Sequence, residues 1–214
     1  MKAIALIAIA YLIGSIPSSL LIARYTRGID LRQWGSGNLG ATNLYRAVGV
    51  GYAAIAVAFD IGKGFIPARF FAQLDGLDAP KLALAYGVAA VLGHVSSVWV
   101  KFRGGKGVAT GGGVFFALAP AATAVALAVW VVSAAGTRIV SVASLAAATA
   151  LPLAIGFTRQ DIDYVFWSSL PLTALVWWTH RSNIARLLAR QEMPARHGVG
   201  GPAPEPGGPG SREA

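Results

Sequence analysis

Six apolar stretches, Met1–Ile22, Gly49–Phe71, Leu82–Val100, Val108–Ala135, Ile139–Phe157 and Tyr164–Trp178, take up most of this 214-residue chain. Most approach the ~20 residues that a helix needs to cross a hydrocarbon layer. In lipid each backbone N–H and C=O must be satisfied within its own segment, so such runs fold as helices packed side by side. With 55% of residues hydrophobic and 13% charged, the chain carries more apolar surface than one soluble core of this length buries, and the excess faces lipid. The expected fold class is an all-α integral membrane protein. The first run lacks a clean small-residue cleavage site and continues into Gly14-Ser15-Ile16-Pro17-Ser18-Ser19, so it reads as a retained helix and not a signal peptide.

Short loops rich in Lys and Arg mark the cytoplasmic side. Arg24, Arg27, Arg32 and Arg46 follow the first run, Lys101, Arg103 and Lys106 the third, and Arg181, Arg186 and Arg190 the last. The connectors 73–78 and 159–163 are acidic or mixed. This pattern predicts an outside amino terminus and a cytoplasmic carboxyl terminus. A single crossing by Val108–Ala135 would put Arg138 on the wrong side. Pro120 resolves the conflict by ending one helix, so that Val108–Leu118 and Ala121–Ala135 enter and return as two short helices. Seven helical segments result; one kinked span, giving six, is the alternative reading.

Cysteine is absent, which excludes disulfides, thiolate nucleophiles and Cys-ligated metals. No cofactor and no metal are expected. The net charge of +9 sits at the ends of apolar runs and makes no continuous stripe, so it indicates topology and anion binding, not nucleic acid. Residues 1–193 read as one membrane-embedded domain. Pro194–Ala214 is rich in Pro and Gly and reads as a disordered tail with no assigned role.

Three polar, glycine-rich stretches interrupt the apolar pattern, all on the side predicted to be cytoplasmic. In Trp34-Gly35-Ser36-Gly37-Asn38-Leu39-Gly40-Ala41-Thr42-Asn43, Gly35 and Gly37 let the backbone turn toward a ligand. Ser36, Asn38, Thr42 and Asn43 offer neutral hydrogen-bonding groups for hydroxyls and phosphate oxygens, and Arg46 a charged clamp. An interfacial turn that satisfies only its own backbone accounts for the spacing equally well. The second stretch sets Lys106 among Gly104, Gly105 and Gly107 at the start of a helix, an arrangement that favours an anion. It is no nucleotide P-loop, since Val100 occupies the first glycine position and Gly107 follows the lysine. Thr110 follows, and Gly111-Gly112-Gly113 suits close helix packing. His94, at the end of an apolar run, reads as structural or catalytic with equal justification.

Ser141 and Ser144 in the third stretch share a helix face, as do His180 and Asn183 after the last run. Those serines also suit helix-to-helix bonding, and Arg181, Arg186 and Arg190 suit headgroup anchoring. Asp60 and Lys63 are charges inside an apolar run and so are functional candidates by default.

Taken in order, GSIPSS, GSGNLGATN, DIGKG, GHVSSVWVKFRGGKGVATG, TRIVSVAS and HRSNIARLL make the chain, from Gly14 to about Leu188, resemble the bacterial acyl-phosphate:glycerol-3-phosphate acyltransferases, the PlsY family. The resemblance implies seven helices and transfer of an acyl group from acyl phosphate, not from acyl-CoA or acyl carrier protein, to glycerol 3-phosphate. The product is lysophosphatidic acid, and the partners are these two substrates and membrane lipid. Carried over residue by residue, it gives catalytic roles to Ser36, Arg46, Lys106, Ser144, His180 and Asn183. Binding roles fall to Gly35, Gly37, Asn38, Thr42, Asn43, Lys63, His94, Gly104, Gly105, Gly107, Thr110 and Ser141. Ser97 stands where the family commonly has proline. No aspartate lies four residues after His94, His180 or His197, so the His-x4-Asp signature of other glycerolipid acyltransferases is missing. A transporter or binding protein for a phosphorylated solute is the rival class; its signature is a midplane site on broken helices with an internal repeat.

Overall fold

The computed structural model describes residues 1–76, 80–159 and 163–194, which are helical with short turns between helices. The first apolar run is not one helix. It divides into α1 (Lys2–Ser15) and α2 (Ser18–Arg27), because Pro17 lacks the N–H that would continue the ladder. The polar loop that follows carries a single turn at Leu31–Gln33 and leads into α3 (Ala41–Val48). α4 (Val50–Asp75) and α5 (Pro80–Val95) are long apolar helices, and a turn at Val98–Val100 then leads toward the Lys106 loop.

The fourth run is two helices, as the proline predicts: α6 (Val108–Leu118) and α7 (Pro120–Thr137), with Pro120 on the first turn of α7, where a missing N–H costs nothing. α8 (Val140–Thr158), α9 (Tyr164–Thr179) and α10 (Arg181–Leu188) complete the bundle. Among the described residues, five spans are long and apolar enough to cross a membrane, counting Lys2–Arg27 as one, and α6 is a shorter apolar helix. The acidic connectors are only partly within the described residues, and the tail beyond Pro194 lies outside them.

The bundle has two distinct ends. At one, the Arg159 guanidinium donates to the Leu118 carbonyl (3.2 Å) and pairs with Asp163, so the α6–α7 reversal sits beside the end of α8 and the start of α9. At the other, Thr179 donates to the Lys106 carbonyl (3.1 Å), which joins the end of α9 to the loop before α6. The core of the first end is built from small and branched residues, among them Ala122, Ala126, Leu151, Ile155, Val114 and Phe115. A separate cluster of Leu20, Leu31, Leu39, Leu44 and Val100 supports the polar loops. Outward positions remain apolar: Val132 is 72% and Phe157 90% exposed, which is the surface a lipid-facing helix presents.

The α4–α6 seam depends on glycine. A Cβ on Gly64 would stand 2.1 Å from the Thr110 carbonyl oxygen, and one on Gly113 would stand 2.1 Å from that of Ile61. Backbone thus lies on backbone, the approach that small residues permit between membrane helices.

Candidate active site

At the end that holds α10, the polar residues from the three stretches are drawn toward one carboxylate. Ser141, at the start of α8, donates to Glu192 Oε1 (3.0 Å), the Asn183 amide donates to the same oxygen, and Arg186 Nε donates to Oε2 (2.7 Å). Lys106 Nζ donates to Asn183 Oδ1. On α3, Arg46 donates to the carbonyls of Met193 (2.8 Å) and Pro194 (3.3 Å). Glu192, Met193 and Pro194 thus form a strap across this site, Pro194 being the residue at which the expected tail begins. Lys106, set among its glycines, has Asn183 as a side-chain partner.

Electrostatics follow from this packing. Burial pulls the Lys106 ammonium down to about 8, Arg186 and Arg46 push the same way, and Glu192 opposes them. For Glu192 burial alone would raise the carboxyl, but the hydrogen bonds from Asn183, Arg186 and Ser141 outweigh it and hold the group below its usual range. A carboxylate that collects three donors from two elements, Ser141 of α8 and Asn183 and Arg186 of α10, marks a place suited to an oxyanion.

His180 is buried at the end of α9 with Nδ1 2.8 Å from the Val176 carbonyl. A proton on Nδ1 satisfies that carbonyl and leaves Nε2 as an acceptor. Ser144 is buried one turn beyond Ser141 and accepts from Trp130 Nε1 at 3.3 Å.

The first glycine-rich loop is organised from within. Asn43 is buried, and its Nδ2 donates to the carbonyls of Leu31 (3.1 Å), Trp34 (2.9 Å) and Asn38 (3.0 Å) while its Oδ1 accepts from the Ser36 N–H (3.3 Å). These bonds tie Asn43 into the loop. Asn38 accepts from the Gly40 N–H (2.9 Å), and Gly35 and Gly37 take the left-handed backbone that the turn requires. Ser36 and Thr42 are half-buried on this loop and on the first turn of α3.

Three other expected ligands are drawn into the fold. Thr110 is fully buried in the α4–α6 seam. Lys63 pairs with Asp60 (2.8 Å) and donates to the Ile16 carbonyl (2.9 Å). His94 is buried with its ring against Gly105, where an added Cβ would stand 2.2 Å from Nε2. Its Nδ1 lies 3.8 Å from Asp60 Oδ1, so a carboxylate stands behind this histidine. Gly104 and Gly105 donate to the carbonyls of Val95 and His94, both at 3.0 Å, and Gly107 starts α6 in the left-handed region.

Residues 4–190 match the family described as Glycerol-3-phosphate acyltransferase. The chain belongs to that family. The glycerol-3-phosphate acyltransferase of Myxococcus xanthus (strain DK1622) is 44% identical over 88% of this chain and 97% of its own length. That of Roseiflexus sp. (strain RS-1) is 46% identical over 86% and 91%. A crystal structure of PlsY, an integral membrane glycerol 3-phosphate acyltransferase, in its glycerol 3-phosphate form is similar with a TM-score of 0.83 and 39% identity, covering 91% of this chain and 96% of that one. The lysophosphatidic acid form of PlsY gives a TM-score of 0.81 at 37% identity, covering 91% and 95%.

Within this acyltransferase, Glu192 is the central residue that motif reading passed over. The signal was present: it is the first glutamate of the chain and the only carboxylate between Tyr164 and Pro194, set among arginines.

Proposed function

We propose that the chain transfers an acyl group from acyl phosphate to glycerol 3-phosphate, giving lysophosphatidic acid and inorganic phosphate. The observation that carries this reading is the convergence of Lys106, Arg46, Arg186, Ser141 and Asn183 on one oxyanion-shaped space, now held by Glu192 and the carbonyls that follow it. Two phosphate-bearing substrates repel each other, and a cluster of cations and amide donors in a partly desolvated pocket offsets that repulsion as the reacting atoms approach.

An acyl phosphate is a mixed anhydride with a good leaving group, so the chemistry needs no protein nucleophile. A glycerol hydroxyl oxygen attacks the acyl carbon and forms the ester C–O bond. The acyl carbon–phosphate oxygen bond breaks, and the hydroxyl proton passes to an oxygen of the departing phosphate. Ser36, Ser144, Asn183 and Nε2 of His180 orient the acceptor, while Lys106 and Arg46 hold phosphate. Polar groups gathered at one end of the bundle fit this reaction better than a midplane transport site.

The proposed setting is a bacterial inner membrane with the site facing the cytoplasm, an outside amino terminus, and seven segments passing between the two ends. Support comes from the basic connectors and from the separation of α6 and α7, whose reversal lies beside Arg159, at the end opposite Lys106. The test is purified protein in lipid vesicles given glycerol 3-phosphate with either acyl phosphate or acyl-CoA. Phosphate release with lysophosphatidic acid formation from acyl phosphate alone is expected, whereas product from acyl-CoA, or none from either donor, sinks the reading.

A further inference from the structure

Behind the Lys106 loop lies a second cluster of charges, which meets that loop at Gly105. Asp60 and Lys63 sit one turn apart on α4, 3% and 4% exposed, and pair at 2.8 Å. Charges buried inside a membrane helix are costly unless paired, and a buried pair contributes little net stability, so its retention calls for a use.

The contacts of the pair supply that use, because together they join the α1–α2 break to the end of α5. Lys63 Nζ donates to the Ile16 carbonyl (2.9 Å) at the break between α1 and α2, and Ser18, on the first turn of α2, donates to Asp60 Oδ1 (2.7 Å). His94 Nδ1 lies 3.8 Å from that same oxygen. The opposite edge of the His94 ring meets Gly105, and the His94 backbone carbonyl holds the Gly105 N–H at 3.0 Å. Lys106 is the next residue.

A cavity of about 10 Å³, room for one water, lies within this cluster between Ser15, Lys63, His94, Ser97, Gly104 and Leu39. Among the described residues Ser15 Oγ is buried without a hydrogen-bond partner, which gives such a water a polar neighbour. Ser97 closes another side by donating to the Ser15 carbonyl at 2.5 Å. Leu39 belongs to the first glycine-rich loop and Gly104 to the second, so both substrate-facing loops rest on one polar base.

We propose that Asp60, Lys63 and His94 are positioning residues, a buried strut that fixes the height and direction of the Gly104–Lys106 loop, and so of the Lys106 ammonium, without contacting substrate. This rests on Lys106 holding a phosphate as argued above. Charges serve here because an ion pair with fixed hydrogen bonds has one good geometry, whereas an apolar contact tolerates sliding. A displacement of ~1 Å at a positioning group costs up to ~100-fold in rate.

The experiment is a coupling cycle on the full chain in vesicles. Asp60→Asn with Lys63→Met removes both charges together, so neither is left buried alone. The expected result is a melting midpoint near that of the unsubstituted protein, a rise of about tenfold in KM for a phosphate-bearing substrate, and kcat within about threefold. In a Lys106→Met background the same pair of changes should have almost no further effect, because a strut that acts through Lys106 has nothing left to position. Additive losses in the two backgrounds, unchanged KM, or a fall in kcat alone would each overturn the proposal. If the double variant does not fold, His94→Gln, which keeps the polar edge facing Gly105, is put through the same cycle with the same criteria. Turnover by the unsubstituted protein is the control that separates failure of the strut from failure of the acyltransferase reading.

Discussion

Replacing Lys106 by methionine removes the ammonium while nearly preserving the side-chain volume. The change deletes the bond from Nζ to Asn183 Oδ1 and leaves that oxygen without its donor. It also relieves the burial that already draws the lysine down to about 8, so folding loses little on balance. The catalytic loss is larger. A charge facing a substrate phosphate in a partly desolvated pocket is worth roughly 3–5 kcal/mol. At 1.36 kcal/mol per decade that is a fall of about 10²–10⁴ in kcat/KM. Arginine should rescue poorly, because its planar fork does not fit between Gly105 and Gly107. The assay is phosphate release from acyl phosphate that depends on glycerol 3-phosphate, in vesicles, beside a thermal melt. A folded Lys106→Met variant that keeps more than about a third of the activity would refute the argument and shift the anion to Arg46 and the backbone N–H groups.

Since the useful form of Lys106 is the charged one and burial draws its pKa to about 8, kcat/KM should be level below that value and fall tenfold per unit above it, with a pH titration as the check. Gly113→Val forces a side chain against the Ile61 carbonyl and should cost about 1–3 kcal/mol in thermal or denaturant unfolding; an unchanged midpoint would mean that the seam is loose. Removing residues 195–214 should leave turnover within about twofold, whereas removing 192–214 takes away the partners of Arg46, Asn183 and Arg186 and should cost at least about tenfold. Equal losses from the two truncations would refute a role for the strap.

The membrane class was legible because apolar runs of this length have few other ways to fold, and the α6–α7 break was legible because proline removes a specific N–H. The break at Pro17 was equally readable in GSIPSS, yet the apolar run masked it. Lys106, Ser141, Asn183 and Arg46 stood out by chemistry and local spacing. Their convergence did not, since it depends on contacts such as Ser141 with Glu192 across 51 positions. The roles of polar side chains were the least legible. Asn43 and Thr110 lie in the same kinds of motif as Asn183, but one ties a loop together and the other is pressed into a helix seam. Only the packing tells a group facing a ligand from one facing its own backbone.

The shortness of α6 sets the depth of the chemistry. Its 11 residues rise about 16 Å, roughly half of a ~30 Å hydrocarbon layer. Its carboxyl end is moored beside Arg159, and its 11 residues are fewer than the 19 of α8, which ends at the same mooring. On a hydrocarbon layer of that thickness Lys106, level with the end of the 16-residue α9, is expected below the headgroups, in a shallow dent. A lipid-tailed donor can keep its chain in oil while its head settles sideways into the dent, and the water-soluble acceptor makes the vertical journey. Bilayer thickness thereby becomes a kinetic variable: a thicker leaflet lengthens the acceptor's descent and leaves the donor's path unchanged.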